Sequence, residues 1–488
     1  MLDKSPLRVV VIGAGMAGIL AGVRLLERGN SNFAIYEKGH GVGGTWRENR
    51  YPGLTCDVPA HAYTYSFAPN PEWSAFYAGG REIEAYFQKV FDDHGLGEYT
   101  RFDTEVTGCE YDDDTHKWTV TLSDGTTDIA DVVIAASGVL HHPNYPEIEG
   151  MDSFEGRMFH TARWEDDVEL DGKRVGVIGN GSTGIQLVTA LADRAETLVQ
   201  FQRSPQWIFP GEQFEYPEEQ KAAFRENLDL IDQIRFGDEY WDGIRRFNKA
   251  LVDTEGPEMK AIEQICLDNL ENSVSDPELK EKLRPDYRAG CKRLIYSWCY
   301  YDKVQQPSVV VERRGIDRII PTGVRMDDGS EHELDVLLLA TGFEADRFIR
   351  PTTVTGRGGV DLDDAWAKRP TAFMAISIPD FPNFFMLNGP TGPVGNFSLI
   401  DIAEKQWVYI AQLMDKLAAG EAEEISPSHE AMADYEERRI AAAKNTIFGT
   451  GCNSWYLDDE GVPSSWPWSY EAFDEAMAEP ELEKFDIR

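Results

Sequence analysis

Twice in this chain a short apolar run ends in Gly-x-Gly-x-x-Gly and opens directly into a segment with helical apolar spacing. Residues 8–12, RVVVI, lead into Gly13, Gly15 and Gly18, then into ILAGVRLLERG, after which FAIYEK reads as a second strand. Residues 174–178, RVGVI, lead into Gly179, Gly181 and Gly184, then into QLVTALADRA and the strand TLVQFQR. Few folds accept that order. A buried strand, a tight glycine turn, a helix and another strand open a doubly wound sheet, and the turn lets the backbone and the helix N-terminus approach a pyrophosphate. The predicted fold is α/β, with two doubly wound (Rossmann-like) dinucleotide-binding domains.

The residue closing each second strand separates the two sites chemically. Glu37 lies nineteen residues beyond Gly18, and Arg203 lies nineteen beyond Gly184. A carboxylate accepts hydrogen bonds from an unphosphorylated ribose, as in FAD or NAD, and repels a 2′-phosphate; a guanidinium binds that phosphate through two N–H groups. The first site is therefore assigned to FAD and the second to NADPH. Ser182 and Thr183, in the second glycine turn, and Ser204, beside Arg203, are counted with the NADPH site.

Between the two units, EVTGCEYDDDTHKWTVTLSDGTTDIADVVIAASG alternates and turns at SDG, which predicts a β-meander followed by a buried strand. DVLLLATG at 335–342 is a matching strand, and residues 211–287, rich in Glu, Lys, Gln and Asp, read as a helical insertion in the second domain. The expected layout is FAD binding by 1–149 and 346–488, NADPH binding by 150–210 and 288–345, and the insertion at 211–287.

The formal charge of −38 disfavours phosphate backbones and anionic lipid, so neither nucleic acid nor membrane is an expected partner. Solubility and adaptation to high salt both account for such a surface. No apolar run approaches the roughly twenty residues that cross a bilayer, and no signal-peptide layout precedes the first strand. A soluble, cytoplasmic monomer is expected. The six cysteines include no CxxC and no zinc spacing, which fits a reduced protein, and His141-His142 lacks further ligands at useful spacing and is read as loop, so no metal is expected. Two nucleotide sites imply electron flow from NADPH to flavin. Without a CxxC to receive those electrons, dioxygen or an external carrier remains as acceptor.

Four further blocks, in order along the chain, carry a family resemblance. FEGRMFHTARWED contains Phe154, Gly156, His160 and Trp164 in the pattern F-x-G-x-x-x-H-x-x-x-W, with Glu165 where the family pattern has Pro or Asp. The others are GGTWRENRYPGLTCDVPAHAY at 43–63, Lys292-Arg293 in CKRLIYSWCYYDKV, and NSWYLDDEGVPSSWPW with Trp455. Together they resemble the type I Baeyer–Villiger monooxygenases, FAD- and NADPH-dependent class B flavoprotein monooxygenases, from residue 8 to about 468. The resemblance implies oxidation of a ketone to an ester or lactone with O2 and NADPH through an anionic C4a-peroxyflavin.

It also implies site roles. Glu37, Thr45, Trp46, Asp57, Tyr63 and Val106 would contact or border FAD. Arg203 and Lys292 would clasp the 2′-phosphate, Arg293 would be the catalytic arginine partnered by Asp57, and Trp455 would contact NADP. His160 and Trp164 would lie on the linker between domains, His160 in a structural rather than a proton-transfer role. An N- or S-oxygenating flavin monooxygenase and a non-oxygenating redox carrier are the competing readings. Trp164 and the Lys292-Arg293 pair weigh against the first, and the second needs no ketone-facing arginine.

Overall fold

The computed structural model describes residues 6–393, 398–452 and 454–488. Both apolar runs are strands buried on both faces, as a parallel sheet covered by helices requires. The first sheet has the order Phe384–Met386, Val132–Ala135, Val9–Ile12, Phe33–Tyr36, Thr100–Arg101, with every pair parallel. The second has the order Val309–Glu312, Thr197–Phe201, Arg174–Ile178, Val336–Leu339, Arg157–His160, again all parallel. The fold is thus α/β with two parallel sheets.

The alternating segment forms the antiparallel strands Val106–Asp112, Lys117–Leu122 and Thr127–Ala130, to which Thr353–Thr355 adds in parallel. The 21-residue helix Leu399–Ala419 follows the return strand Phe384–Met386, ends on left-handed Gly420 and shares a core with the first nucleotide helix, Met16–Glu27. Among the described residues no helix is long and apolar enough to cross a membrane.

Residues 218–283 are helical, in five segments. They do not belong to the second sheet alone, as the sequence reading supposed. Phe224 and Ile231 are buried in the first sheet's core, Leu270, Val274 and Leu283 in the second's, and Ala250, Met259 and Cys266 in a third cluster with Cys291 and Tyr456. An amphipathic face records that a helix is covered, not by which sheet.

The all-reduced cysteine expectation also fails: Cys291 and Cys452 form a disulfide, leaving Cys56, Cys109, Cys266 and Cys299 free. The two partners are 161 residues apart, with no motif to announce them.

Candidate active site

Both nucleotide turns are built for close backbone packing. Gly13 has φ +101°, and a Cβ there would stand 2.8 Å from the Ala136 carbonyl oxygen; Gly18 leaves no room for a side chain against the Gly13 carbonyl. Gly179 and Gly184 repeat the arrangement against Ala340 and Gly179. Gly15 and Gly181 instead cap the helices Met16–Glu27 and Ser182–Leu191 with no side-chain hydrogen bond, and the space beside Gly181 is open to 4 Å. Uncapped N–H groups facing open space suit an anion.

Glu37 is 7% exposed. Its Oε2 accepts from the Ala14 N–H at 2.8 Å and its Oε1 from the Gly39 N–H at 2.7 Å. Ionised carboxylate oxygens keep lone pairs beyond these two bonds, so Glu37 can still accept from a ribose. The loop at Gly43 and Gly44 abuts this turn, with the Gly43 N–H bonded to the Ala14 carbonyl at 3.1 Å, and opens directly into the short helix Thr45–Glu48, whose first residues are Thr45 and Trp46. Trp46 Nε1 donates to the Tyr63 hydroxyl at 3.0 Å, joining two of the expected flavin neighbours. Val106 opens its strand with its side chain in the core beside Ile12 and Tyr36. Any nucleotide contact at Val106 is left to its backbone.

The structure brings Asp57 and Arg293 together across 236 residues of sequence. Arg293 donates from Nε to Oδ2 at 2.8 Å and from Nη2 to Oδ1 and Oδ2 at 2.7 and 2.6 Å. The pair is half-buried, with side chains 30% and 23% exposed. Burial alone lowers the guanidinium pKa, but Asp57 and the Tyr456 hydroxyl outweigh it and the net shift is upward. Arg293 is a permanent cation, held along one edge by Asp57 and partly exposed.

Asp57 is held by a loop that docks on the second nucleotide helix. The Tyr51 hydroxyl donates to Gln186 Oε1 at 2.8 Å and accepts from Thr183 Oγ1 at 3.1 Å, and Gln186 Nε2 donates to the Thr55 carbonyl at 3.0 Å. Gly53, at φ +81°, passes against the Gln186 carbonyl where a Cβ would stand 2.7 Å away. Neither Tyr51 nor Gln186 was expected at the site; the YPG turn is the only sequence signal near them.

Lys292, next to Arg293, donates from Nζ to Ser204 Oγ at 2.7 Å and lies 4.5 Å from the centroid of the Tyr287 ring. Burial first, and then the like charge of Arg203, lower its pKa. Two cations and a hydroxyl therefore converge beyond the second strand, with Arg203 exposed. Like charges brought together at partial burial repel, and an anion between them offsets that cost.

The block at 154–164 is less of a linker than expected. Arg157–His160 is the edge strand of the second sheet, and Thr161–Arg163 is a 3-10 turn. Phe154 packs against the second sheet's outer cluster, and Gly156 runs along the Asp335 carbonyl with no room for a Cβ. His160 is 1% exposed, accepts at Nδ1 from the Ala162 N–H at 3.1 Å, and has its pKa lowered by burial to about 4. A buried neutral imidazole engaged with its own turn suits a structural role. Trp164 packs edge-on to Phe159 at 5.3 Å, and its carbonyl accepts from Arg50 of the Asp57 loop at 3.2 Å. Asp166 pairs with the same Arg50, while Glu165, at the position that departs from the family pattern, pairs with Arg157.

Trp455 is 49% exposed and its ring lies 4.2 Å from that of Tyr456. Asn453 lies outside the described residues. His141 contacts Lys38 Nζ at 3.2 Å and His142 meets the Arg350 carbonyl at 2.9 Å.

Residues 6–261 match the flavin-binding monooxygenase-like family. Over 483 residues the chain is 36% identical to a Baeyer–Villiger monooxygenase of Streptomyces coelicolor, covering 98% of this chain and 92% of that protein. Among solved structures, oxidized steroid monooxygenase bound to NADP is 31% identical with a TM-score of 0.88, covering 99% of both chains. The complex of OTEMO with FAD and NADP is 26% identical, also with a TM-score of 0.88, covering 99% of this chain and 100% of that one. Two parallel sheets with paired glycine turns, a fixed arginine–carboxylate pair and full-length similarity agree: the chain belongs to the flavin-binding monooxygenase-like family, on its Baeyer–Villiger branch.

Proposed function

We propose that this chain is an FAD- and NADPH-dependent monooxygenase that converts a ketone to an ester or lactone. The observation that carries the reading is the Asp57–Arg293 pair, a cation clamped along one edge by a carboxylate and still partly exposed. In the overall reaction, ketone, O2, NADPH and a proton give ester, NADP⁺ and water. One oxygen atom enters between the carbonyl carbon and its neighbour, and the other leaves as water. FAD, when bound, takes hydride from NADPH and activates O2.

The chain's own residues do the rest. Gly13, Gly15 and Gly18 with the Met16–Glu27 N-terminus would seat the FAD pyrophosphate, and Glu37 its ribose. Thr45, Trp46, Asp57, Tyr63 and the Val106 backbone would border the remainder. Gly179, Gly181, Ser182, Thr183 and Gly184 would hold the NADPH pyrophosphate, Arg203, Ser204 and Lys292 its 2′-phosphate, and exposed Trp455 would cover the bound nucleotide. FAD would belong to 1–149 and 346–488, and NADPH to 150–210 and 288–345. Arg293 would stabilise negative charge on oxygen during transfer to the carbonyl. Its charge persists at any working pH, so it can do this without surrendering a proton.

Two experiments test the reading. Linear, cyclic, aryl and steroid-like ketones offered with NADPH should include one that accelerates NADPH consumption and yields an ester or lactone. Peroxide alone with every ketone, or oxide products from amines and sulfides only, counts against it. Arg203→Ala should raise the KM for NADPH on the order of tenfold or more while leaving that for NADH nearly unchanged, since only NADPH carries the phosphate. An equal rise for both would show that Arg203 does not read the phosphate.

A further inference from the structure

The two glycine turns differ at the residue between their first two glycines, Ala14 in one and Asn180 in the other. In the first turn the Ala14 backbone N–H fixes the ribose-reading residue directly, by donating to Glu37. The second turn cannot copy that contact. Its reading residue is Arg203, and a guanidinium only donates, so a backbone N–H has nothing to bond to. A side chain takes over instead. The Gly179 N–H bonds to the Phe201 carbonyl at 3.0 Å, which sets Asn180 beside the chain as it leaves the strand Thr197–Phe201. Asn180 Nδ2 donates to Gln202 Oε1 at 2.6 Å and to the Ser204 carbonyl at 2.7 Å. An amide nitrogen carries two protons, and both are used here, one on each side of Arg203.

These bonds are well placed to hold the segment. Gln202 is 5% exposed and its Nε2 has no partner among the described residues, so the bond from Asn180 is what orients its side chain. Ser204 is held a second time, at Oγ, by Lys292 Nζ at 2.7 Å. Arg203 between them is exposed. A long side chain on a loose backbone loses much freedom when it binds, whereas one whose backbone is already ordered loses less, and the difference appears as affinity. It appears only for a ligand that the arginine touches.

We propose that Asn180 is a positioning residue for nucleotide specificity: it ties the pyrophosphate turn to residues 202–204 and so presents Arg203, with Ser204 and Lys292, to the 2′-phosphate of NADPH. This rests on the reading of Arg203 as the group that contacts that phosphate.

In the FAD-loaded enzyme, Asn180→Leu keeps most of the side-chain bulk and removes both donors, and Asn180→Ala removes the donors without adding apolar surface. With either variant the calorimetric Kd for NADP⁺ should rise about fivefold, while that for NAD⁺, which lacks only the phosphate, stays within about twofold. In turnover the KM for NADPH should rise by the same factor. FAD content, the KM for NADH and kcat at saturating NADPH should stay within about twofold. In an Arg203→Ala background either substitution should weaken NADP⁺ by at most about twofold more, because its effect runs through Arg203.

Equal weakening of NADP⁺ and NAD⁺ would mean that Asn180 only shapes the turn, and overturns the proposal. Wild-type affinities in both variants, or the full fivefold loss repeated on Arg203→Ala, overturn it as well. If instead Arg203→Ala alone leaves NADP⁺ affinity unchanged, it is the reading of Arg203 that fails.

Discussion

Arg293→Ala is expected to divide the reaction into a half that survives and a half that does not. Hydride transfer from NADPH to flavin needs the two nucleotides in line and no anion on oxygen, so flavin reduction followed by stopped flow should remain measurable. Oxygen transfer to a carbonyl develops negative charge beside the flavin. The cation proposed to meet that charge is Arg293, bonded to Asp57 of the first nucleotide domain through Nε and Nη2. Removing one preorganised charge of this kind costs roughly a hundredfold to a thousandfold in rate. Ester formation should fall by that factor, and the oxygen consumed should appear as hydrogen peroxide. Asp57 would lose its bidentate partner in the variant, and at 23% exposure water can replace part of it, so the fold should survive. Ester produced at a near wild-type rate would remove Arg293 from the chemistry.

The second large effect concerns which glycine turn holds which nucleotide. Gly13 at φ +101° and Gly179 at φ +116° both face a carbonyl oxygen where a side chain would stand. A β-branched residue there is strained by about 1–3 kcal/mol before any collision is counted, and the collision moves the backbone that would cradle the pyrophosphate. Gly13→Val should therefore weaken FAD by on the order of a hundredfold and purify largely colourless, with helical circular dichroism retained. Gly179→Val should stay yellow and be reduced normally by dithionite, while reduction by NADPH becomes very slow. The crossed pattern matters more than either loss. A Gly179→Val protein that loses FAD while Gly13→Val keeps it would exchange the two assignments.

How much of this was legible beforehand depended on the range of the interaction. The glycine turns were legible because strand, turn and helix are adjacent in sequence, and the charge contrast between Glu37 and Arg203 lies at a fixed offset from each turn. The meander was legible from its alternation, now Val106–Ala130. The Asp57–Arg293 contact spans 236 residues and was reachable only through family resemblance. Tyr51, Gln186 and Thr183 lock the Asp57 loop onto the second helix through neutral hydrogen bonds, which leave no pattern in a sequence. The helical insertion showed its apolar faces plainly, yet Phe224 and Leu270 go to different cores because the helices bridge the two sheets.

The central claim is that this chain inserts one atom of dioxygen into a ketone. It is tested most directly with ¹⁸O2. A ketone that stimulates NADPH consumption is incubated with the FAD-loaded enzyme, NADPH and ¹⁸O2 in unlabelled water, and the product is analysed by mass spectrometry. The account predicts an ester or lactone carrying one ¹⁸O at the bridging position, with one NADPH consumed per product molecule, and with labelled ester reduced roughly a hundredfold or more in the Arg293→Ala reaction, whose ¹⁸O appears as hydrogen peroxide. Unaltered ketone with all the ¹⁸O in hydrogen peroxide, or a product oxygen that comes from water, would contradict it.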